Sequence, residues 1–134
     1  MKPVPIGARG TKSVEVTEST LASFTGSGAV DVFSTPNLVL LMEEACVEAI
    51  RDYLEEGETT VGTLVDINHL AATPPGLQVT ATGILTQVEG RKLVFQVEAY
   101  DDVEKVGEGI HERFLVHREK FTAKSLRKSD IHKE

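Results

Sequence analysis

Residues 35–57 read TPNLVLLMEEACVEAIRDYLEEG, and the spacing of their apolar side chains decides how the rest of the chain must fold. Leu38, Leu41, Met42, Ala45, Cys46, Ala49, Ile50 and Tyr53 recur at i, i+3, i+4 and i+7, the stripe of a helix pressed against a core. Threonine suits an N-cap and proline a first helical position, so the helix is expected over Pro36–Leu54, with Thr35 as its cap and Gly57 as a left-handed stop. Glu43 falls just off the stripe, and the residues three and four positions away are Val39, Leu40, Cys46 and Val47, all apolar. A carboxylate in such surroundings must be paired, held protonated or used in chemistry. Glu44 is the control, since it shares a wet face with Glu48 and Arg51. On pattern alone, Glu43 reads equally well as a partly exposed charge at the stripe's edge.

Beyond the helix the pattern changes to β. Thr60–Leu70 is expected as a strand, AATPPG at 71–76 as a turn, and Leu77–Val88 as a long strand closed by the hairpin signal Glu89-Gly90. Lys92–Tyr100 alternates, Asp101-Asp102 turns the chain, and Val106–Phe121 makes the last strand, followed by a basic tail expected to fray from about Lys124. Before the helix, Thr11–Thr17 is a weak strand, and Ser23–Ser34, rich in Gly and Ser, is a loop or lid. One long buried helix with about five antiparallel strands is an α+β layout. A helix this apolar needs a strongly curved sheet wrapped around it, which is the hot dog fold.

At 134 residues the chain reads as one domain, 1–134, able to bury roughly two-thirds of its unfolded surface. The single cysteine, Cys46, excludes an internal disulfide, suits a reducing cytoplasm, and on an apolar stripe reads as inert packing. No run reaches the about 18 apolar residues of a membrane span, and the first ten residues lack a signal peptide's hydrophobic block. The net charge of −7 argues against nucleic acid as a bulk partner. The charge is uneven: eleven acids and one base lie between Glu15 and Asp66, whereas seven bases and four acids follow from His111 onward. The basic third suits a phosphorylated ligand or a solvated strand edge and tail.

His69 is the second polar oddity. With Val61, Thr63, Val65 and Ile67 it falls on one face of its strand, at the end of the core-facing row. A lone histidine there can be a satisfied core residue; beside a glutamate facing the same core it resembles a base and its partner. Thr35 can simply cap its helix, or set a hydroxyl and free N–H groups beside a polarised carbonyl. The four histidines are scattered, and no His, Cys and acid cluster has the spacing of a metal site.

Four segments carry a resemblance. Leu41-Met42-Glu43-Glu44-Ala45-Cys46, the block Asn68-His69-Leu70-Ala71-Ala72-Thr73-Pro74-Pro75-Gly76-Leu77, Val88-Glu89-Gly90-Arg91 and Gly109-Ile110-His111-Glu112-Arg113 together resemble the fluoroacetyl-CoA thioesterases of the hot dog fold, nearly without gaps from about Val32 to Lys124. The resemblance implies a catalytic set of Thr35, Glu43 and His69, a substrate-contacting glycine at Gly62 and a binding arginine at Arg113. It implies a homodimer with an active site at its interface, an acyl-CoA substrate and no cofactor beyond the substrate's own coenzyme A. It departs in the lid: where that family carries phenylalanines over the fluorinated carbon, this chain reads Phe24-Thr25-Gly26-Ser27-Gly28-Ala29-Val30-Asp31.

The expected activity is therefore hydrolysis of short acyl-CoA thioesters. His69 would be the base and Thr35 would hold the carbonyl oxygen. Glu43, held protonated by apolar neighbours, would orient water or form a transient anhydride. Two other readings stand beside it. An enoyl-CoA hydratase of this fold would carry an Asp and a His close together on the loop capping the helix, and no such pair occurs. A non-catalytic acyl-CoA-binding protein would need the pocket but not both Glu43 and His69.

Overall fold

The expected helix exists and buries the expected face. In the computed structural model, which describes residues 1–133, α2 spans Thr35–Ile50 and continues as a 3-10 turn over Arg51–Tyr53. Its buried residues are Leu38, Leu41, Met42, Ala45, Cys46, Ala49 and Ile50, the sequence stripe without its last member. Five strands surround it: β1 (Arg9–Glu15), β2 (Glu58–His69), β3 (Gln78–Glu89), β4 (Lys92–Tyr100) and β5 (Lys105–His117). They form one sheet in the order β1-β3-β4-β5-β2, with every neighbouring pair antiparallel. Strand β4 alternates strictly and β3 alternates from Gln78 to Leu85, where a bulge before Gln87 ends the pattern, placing Val79, Ala81, Leu85, Leu93, Phe95, Val97 and Ala99 on the helix side.

A pair of glycines seats the helix. Gly10 of β1 lies opposite Gly83 of β3. A Cβ on Gly10 would sit 2.1 Å from the Ala45 carbonyl oxygen, and one on Gly83 would sit 2.6 Å from Cys46 Sγ. The small residues Ala45, Cys46 and Ala49 on the other side complete this close approach, which explains why the middle of the stripe is small rather than leucine-rich.

Three expectations need correction. First, Ser34, and not Thr35, caps α2: its buried Oγ accepts the Asn37 N–H at 3.2 Å, and Thr35 and Pro36 occupy the first helical turn. Second, the row Val61, Thr63, Val65, Ile67, His69 does not hold along β2. A bulge between Gly62 and Leu64 resets the alternation, so Thr60 and Gly62 face the helix on one side of it and Val65, Ile67 and His69 on the other. Third, the last strand ends at His117, and the segment expected to be strand end and frayed tail is a helix, α3 (Arg118–Lys133). Its Arg, Glu, Lys, Ala and Leu content favours helix, but it has no apolar stripe and buries no residue, so periodicity gave no signal.

The loop before α2 holds one short helical turn, α1 (Ala22–Thr25), stopped by Gly26 at φ 81°. Phe33 bridges to Leu21 and is buried in the core, while Phe24 is exposed. The turn after β2 is anchored by Thr73, whose carbonyl accepts the Phe33 N–H at 2.8 Å and whose hydroxyl donates to Asp101 at 2.9 Å. That anchor holds the end of β2, and with it His69, against the start of α2.

Candidate active site

The expected site residues fall into two groups. At the start of α2, Thr35 Oγ1 lies 2.7 Å from His69 Nδ1. Because Ser34 does the capping, the Thr35 hydroxyl is not consumed by its own helix. Pro36 has no N–H, and those of Asn37 and Leu38 go to Ser34, so these expected N–H groups are already taken and the hydroxyl is a donor this end offers. His69 is half-buried, and burial holds its pKa below the ordinary histidine range. Its Nε2 is buried and has no partner among the described residues. The ring is thus neutral at pH 7 and has one nitrogen still to be used.

The second group surrounds Glu43. Its environment is not the apolar one expected. Its Oε2 accepts from Arg113 Nη1 at 3.2 Å and lies 3.9 Å from His111 Nε2, with the side chain 34% exposed. Of the three outcomes open to this carboxylate, pairing is realised. Arg113 is itself buried and every one of its nitrogens donates: Nε to Thr60 Oγ1 at 2.9 Å, Nη2 to the Thr60 carbonyl at 3.0 Å, and Nη1 to both Glu43 and His111 Nε2, the latter at 3.1 Å. Gly62 completes the group, since a Cβ there would lie 2.8 Å from Glu43 Oε2 and 3.4 Å from Arg113 Nη1. A cleft of about 230 Å³, lined by Leu40, Glu43, Val47 and Arg113 among others, opens this carboxylate to solvent.

His111 is the residue sequence reasoning missed. It is fully buried, stacked against Phe95 at 6.4 Å, and its Nδ1 lies 2.8 Å from the Leu64 carbonyl at the bulge. That carbonyl can only accept and the guanidinium can only donate, so His111 is the neutral tautomer with its proton on Nδ1. Burial, and after it the Arg113 charge, hold its pKa below the ordinary range. It therefore ties the bulged strand to the arginine that holds Glu43. The only hint in the sequence was its alternation with Arg113 on one strand face.

The two groups are apart within one chain. Thr35 and Glu43 are separated by eight residues of helix, about 12 Å. Gly62 and His69 are separated by seven residues of strand, about 20 Å. Cys46 belongs to neither; it is buried in the core, and burial pushes its thiol up to about 12. Among the described residues no group of His, Cys, Asp and Glu is arranged to hold a metal, and no helix is long and apolar enough to cross a membrane.

Comparison with known proteins agrees with this architecture. Residues 16–119 match the family described as fluoroacetyl-CoA-specific thioesterase. The fluoroacetyl-CoA thioesterase of Streptantibioticus cattleyicolor is 52% identical over 99 residues, covering 74% of this chain and 71% of that protein. The solved structure of the fluoroacetyl-CoA thioesterase FlK superposes with a TM-score of 0.89 at 41% identity, over 95% of this chain and 98% of that one. A thioesterase superfamily member from Thermus thermophilus superposes with a TM-score of 0.92 at 30% identity, over 99% and 98% of the two chains. The curled five-stranded sheet around α2 is the hot dog fold.

Proposed function

The chain belongs to the fluoroacetyl-CoA-specific thioesterase family, and on that premise we propose that it acts as a homodimer whose active sites each combine Thr35 and His69 of one subunit with Glu43, Gly62 and Arg113 of the other. It is an acyl-CoA thioesterase. The observation that carries the proposal is the separation of its acid from its base within one chain. Strand β2 supports the shared arrangement: it is an edge of the sheet, twelve residues long, with Leu64 and Val65 exposed at 41% and 46%. A bare apolar edge of this length invites pairing with another strand. Antiparallel pairing of two β2 edges about an axis at Asp66, with Thr63 left out of the ladder at the bulge, sets His69 opposite Gly62 of the partner subunit, and so brings the base to the carboxylate.

The chemistry follows from the hydrogen bonds. His69 donates its Nδ1 proton to Thr35, which leaves Nε2 as a base and frees the Thr35 O–H to donate to the thioester carbonyl oxygen. Glu43, fixed by Arg113, either orients the attacking water or attacks the carbonyl carbon itself, and water then cleaves the resulting anhydride. In the first route His69 Nε2 takes a proton from the attacking water and gives it to the thiolate as the C–S bond breaks; in the second the C–S bond breaks on attack by Glu43, and His69 takes a proton from the water that then cleaves the anhydride and passes it to the thiolate. Both yield free acid and coenzyme A. Residues 26–29, Gly-Ser-Gly-Ala, offer no aromatic gate, and Phe33 is held in the core, so the substrates are short acyl-CoAs in general, with at most a modest preference for fluoroacetyl-CoA over acetyl-CoA. A free, buried Cys46 fits the reducing cytoplasm as its compartment.

His69→Ala and Glu43→Gln should each lower kcat for acetyl-CoA about 10²-fold or more while circular dichroism stays unchanged. Near-normal turnover of Glu43→Gln overturns the assignment, and a many-thousandfold preference for fluoroacetyl-CoA overturns the substrate range.

A further inference from the structure

His111 makes and breaks no bond in the hydrolysis, yet its ring is held from several strands and both of its nitrogens are used. Phe95 of β4 stacks on it. Its Nδ1–H donates to the Leu64 carbonyl of β2 at 2.8 Å, and its Nε2 accepts from Nη1 of Arg113, which shares its face of β5, at 3.1 Å. Packing alone does not call for a histidine here, because a phenylalanine would fill the buried space without taking polar nitrogens out of water. The arginine accounts for the choice. Its Nε and Nη2 are held on Thr60, and its Nη1 bears two protons, one toward Glu43 Oε2 at 3.2 Å and one toward His111 Nε2. The guanidinium is planar, so an acceptor that fixes one Nη1 proton also fixes the direction of the other. That acceptor is best uncharged: a second carboxylate would compete with Glu43 for Nη1, and an apolar ring would leave a buried N–H unpaired. Gly62 leaves room for the arrangement, since a Cβ there would stand 3.2 Å from His111 Cε1.

We propose that His111 is a positioning residue for the hydrolysis, its Nε2 lone pair aiming Arg113 Nη1 and, through it, the Glu43 carboxylate at the thioester. The inference rests on the thioesterase reading and deepens it, adding a residue that touches neither substrate nor reacting atom. The two ring nitrogens have separable duties. Nε2 serves the carboxylate, and Nδ1–H pins the Leu64 carbonyl where β2 bulges.

That separation supplies the test. His111→Gln can return an acceptor at the Nε2 position, and His111→Asn a donor at the Nδ1 position. With acetyl-CoA, His111→Asn should lose at least about tenfold in kcat with KM changed by less than about twofold, because a drift of about 1 Å at Glu43 slows the chemistry and not the binding. His111→Gln should keep kcat within about threefold of the wild type, since the acceptor is restored. In a Glu43→Gln background, His111→Asn should cost less than about twofold. Normal turnover of His111→Asn, an equal loss in His111→Gln and His111→Asn, a raised KM at unchanged kcat, or the same loss in the Glu43→Gln background overturns the proposal. The wild type provides a second measurement should either variant fail to fold. In nitrogen NMR the His111 ring, assigned through its contact with Phe95, should carry its proton on Nδ1 at neutral pH. A proton on Nε2, or a charged ring, overturns the proposal, because Nε2 then has no lone pair for Arg113. A wild type that hydrolyses no thioester would refute the thioesterase reading instead, and the tautomer would still decide whether His111 can aim Arg113.

Discussion

Gly62→Ala is the smallest change that reaches the candidate site without altering a reacting group. Gly62 does not adopt a positive φ, so the backbone accepts alanine and the strand loses only glycine's extra freedom. The new Cβ would lie 2.8 Å from Glu43 Oε2, 3.2 Å from His111 Cε1 and 3.4 Å from Arg113 Nη1. Ordinary contact begins near 3.5 Å, so the closest group must retreat by about 0.7 Å. His111 is buried and hydrogen-bonded at both nitrogens, and Arg113 is held at Thr60, which leaves the Glu43 carboxylate to move. A displacement of about 1 Å at a reacting group costs on the order of 10²-fold in rate, so kcat/KM for acetyl-CoA should fall by about 10- to 100-fold. The thermal midpoint should shift by no more than a few degrees, because the site is an edge-strand position. Release of free coenzyme A thiol is the assay. In a Glu43→Gln background the same substitution should cost less than about twofold, since its effect acts through that carboxylate. An unchanged kcat/KM, or an equal loss in both backgrounds, refutes the reasoning.

Three further outcomes follow from the same contacts. Thr35→Ser should keep most of the turnover and Thr35→Ala should lose about tenfold or more, because the hydroxyl and not the methyl meets His69; equal rates would remove Thr35 from the chemistry. Gly83→Ala should destabilise the fold by about 1–3 kcal/mol or more in urea unfolding, because its Cβ would stand 2.6 Å from Cys46 Sγ and the helix cannot withdraw without opening the core. Acid should weaken the fold: burial lowers the folded-state pKa of both His69 and His111, so the unfolded chain binds protons that the native chain refuses once the pH drops below about 6.5. Their contribution is complete above that value and lost below it, so the urea midpoint should fall from about pH 7.5 to about pH 5.5; a constant or rising midpoint contradicts the buried neutral rings.

The parts of the fold that sequence revealed are those where a period reports burial. The α2 stripe, the alternation of β4 and that of β3 as far as Leu85 survive because a single core faces them. The bulge at Gly62 was hidden, since a one-residue insertion leaves composition unchanged while reversing every later side chain. Helix α3 was hidden for the opposite reason: it buries nothing, so no stripe marks it. At the site, Glu43, His69 and Thr35 stood out as polar groups in apolar or terminal positions. The Arg113–His111 scaffold did not, because its logic is three-dimensional: each member is satisfied by groups on other strands. The exchange of the cap from Thr35 to Ser34 matters most, since it is what frees the hydroxyl that meets His69.

Subunit complementation tests the central claim most directly. Glu43→Gln and His69→Ala proteins, each nearly inactive alone, are mixed in equal amounts, unfolded and refolded together so that subunits exchange. If each site takes its glutamate from one chain and its histidine from the other, half of the dimers are mixed and each carries one intact site, so about a quarter of wild-type activity should return. If both residues of a site come from the same chain, every site in the mixture carries a lesion, and activity should stay at the level of the separate variants.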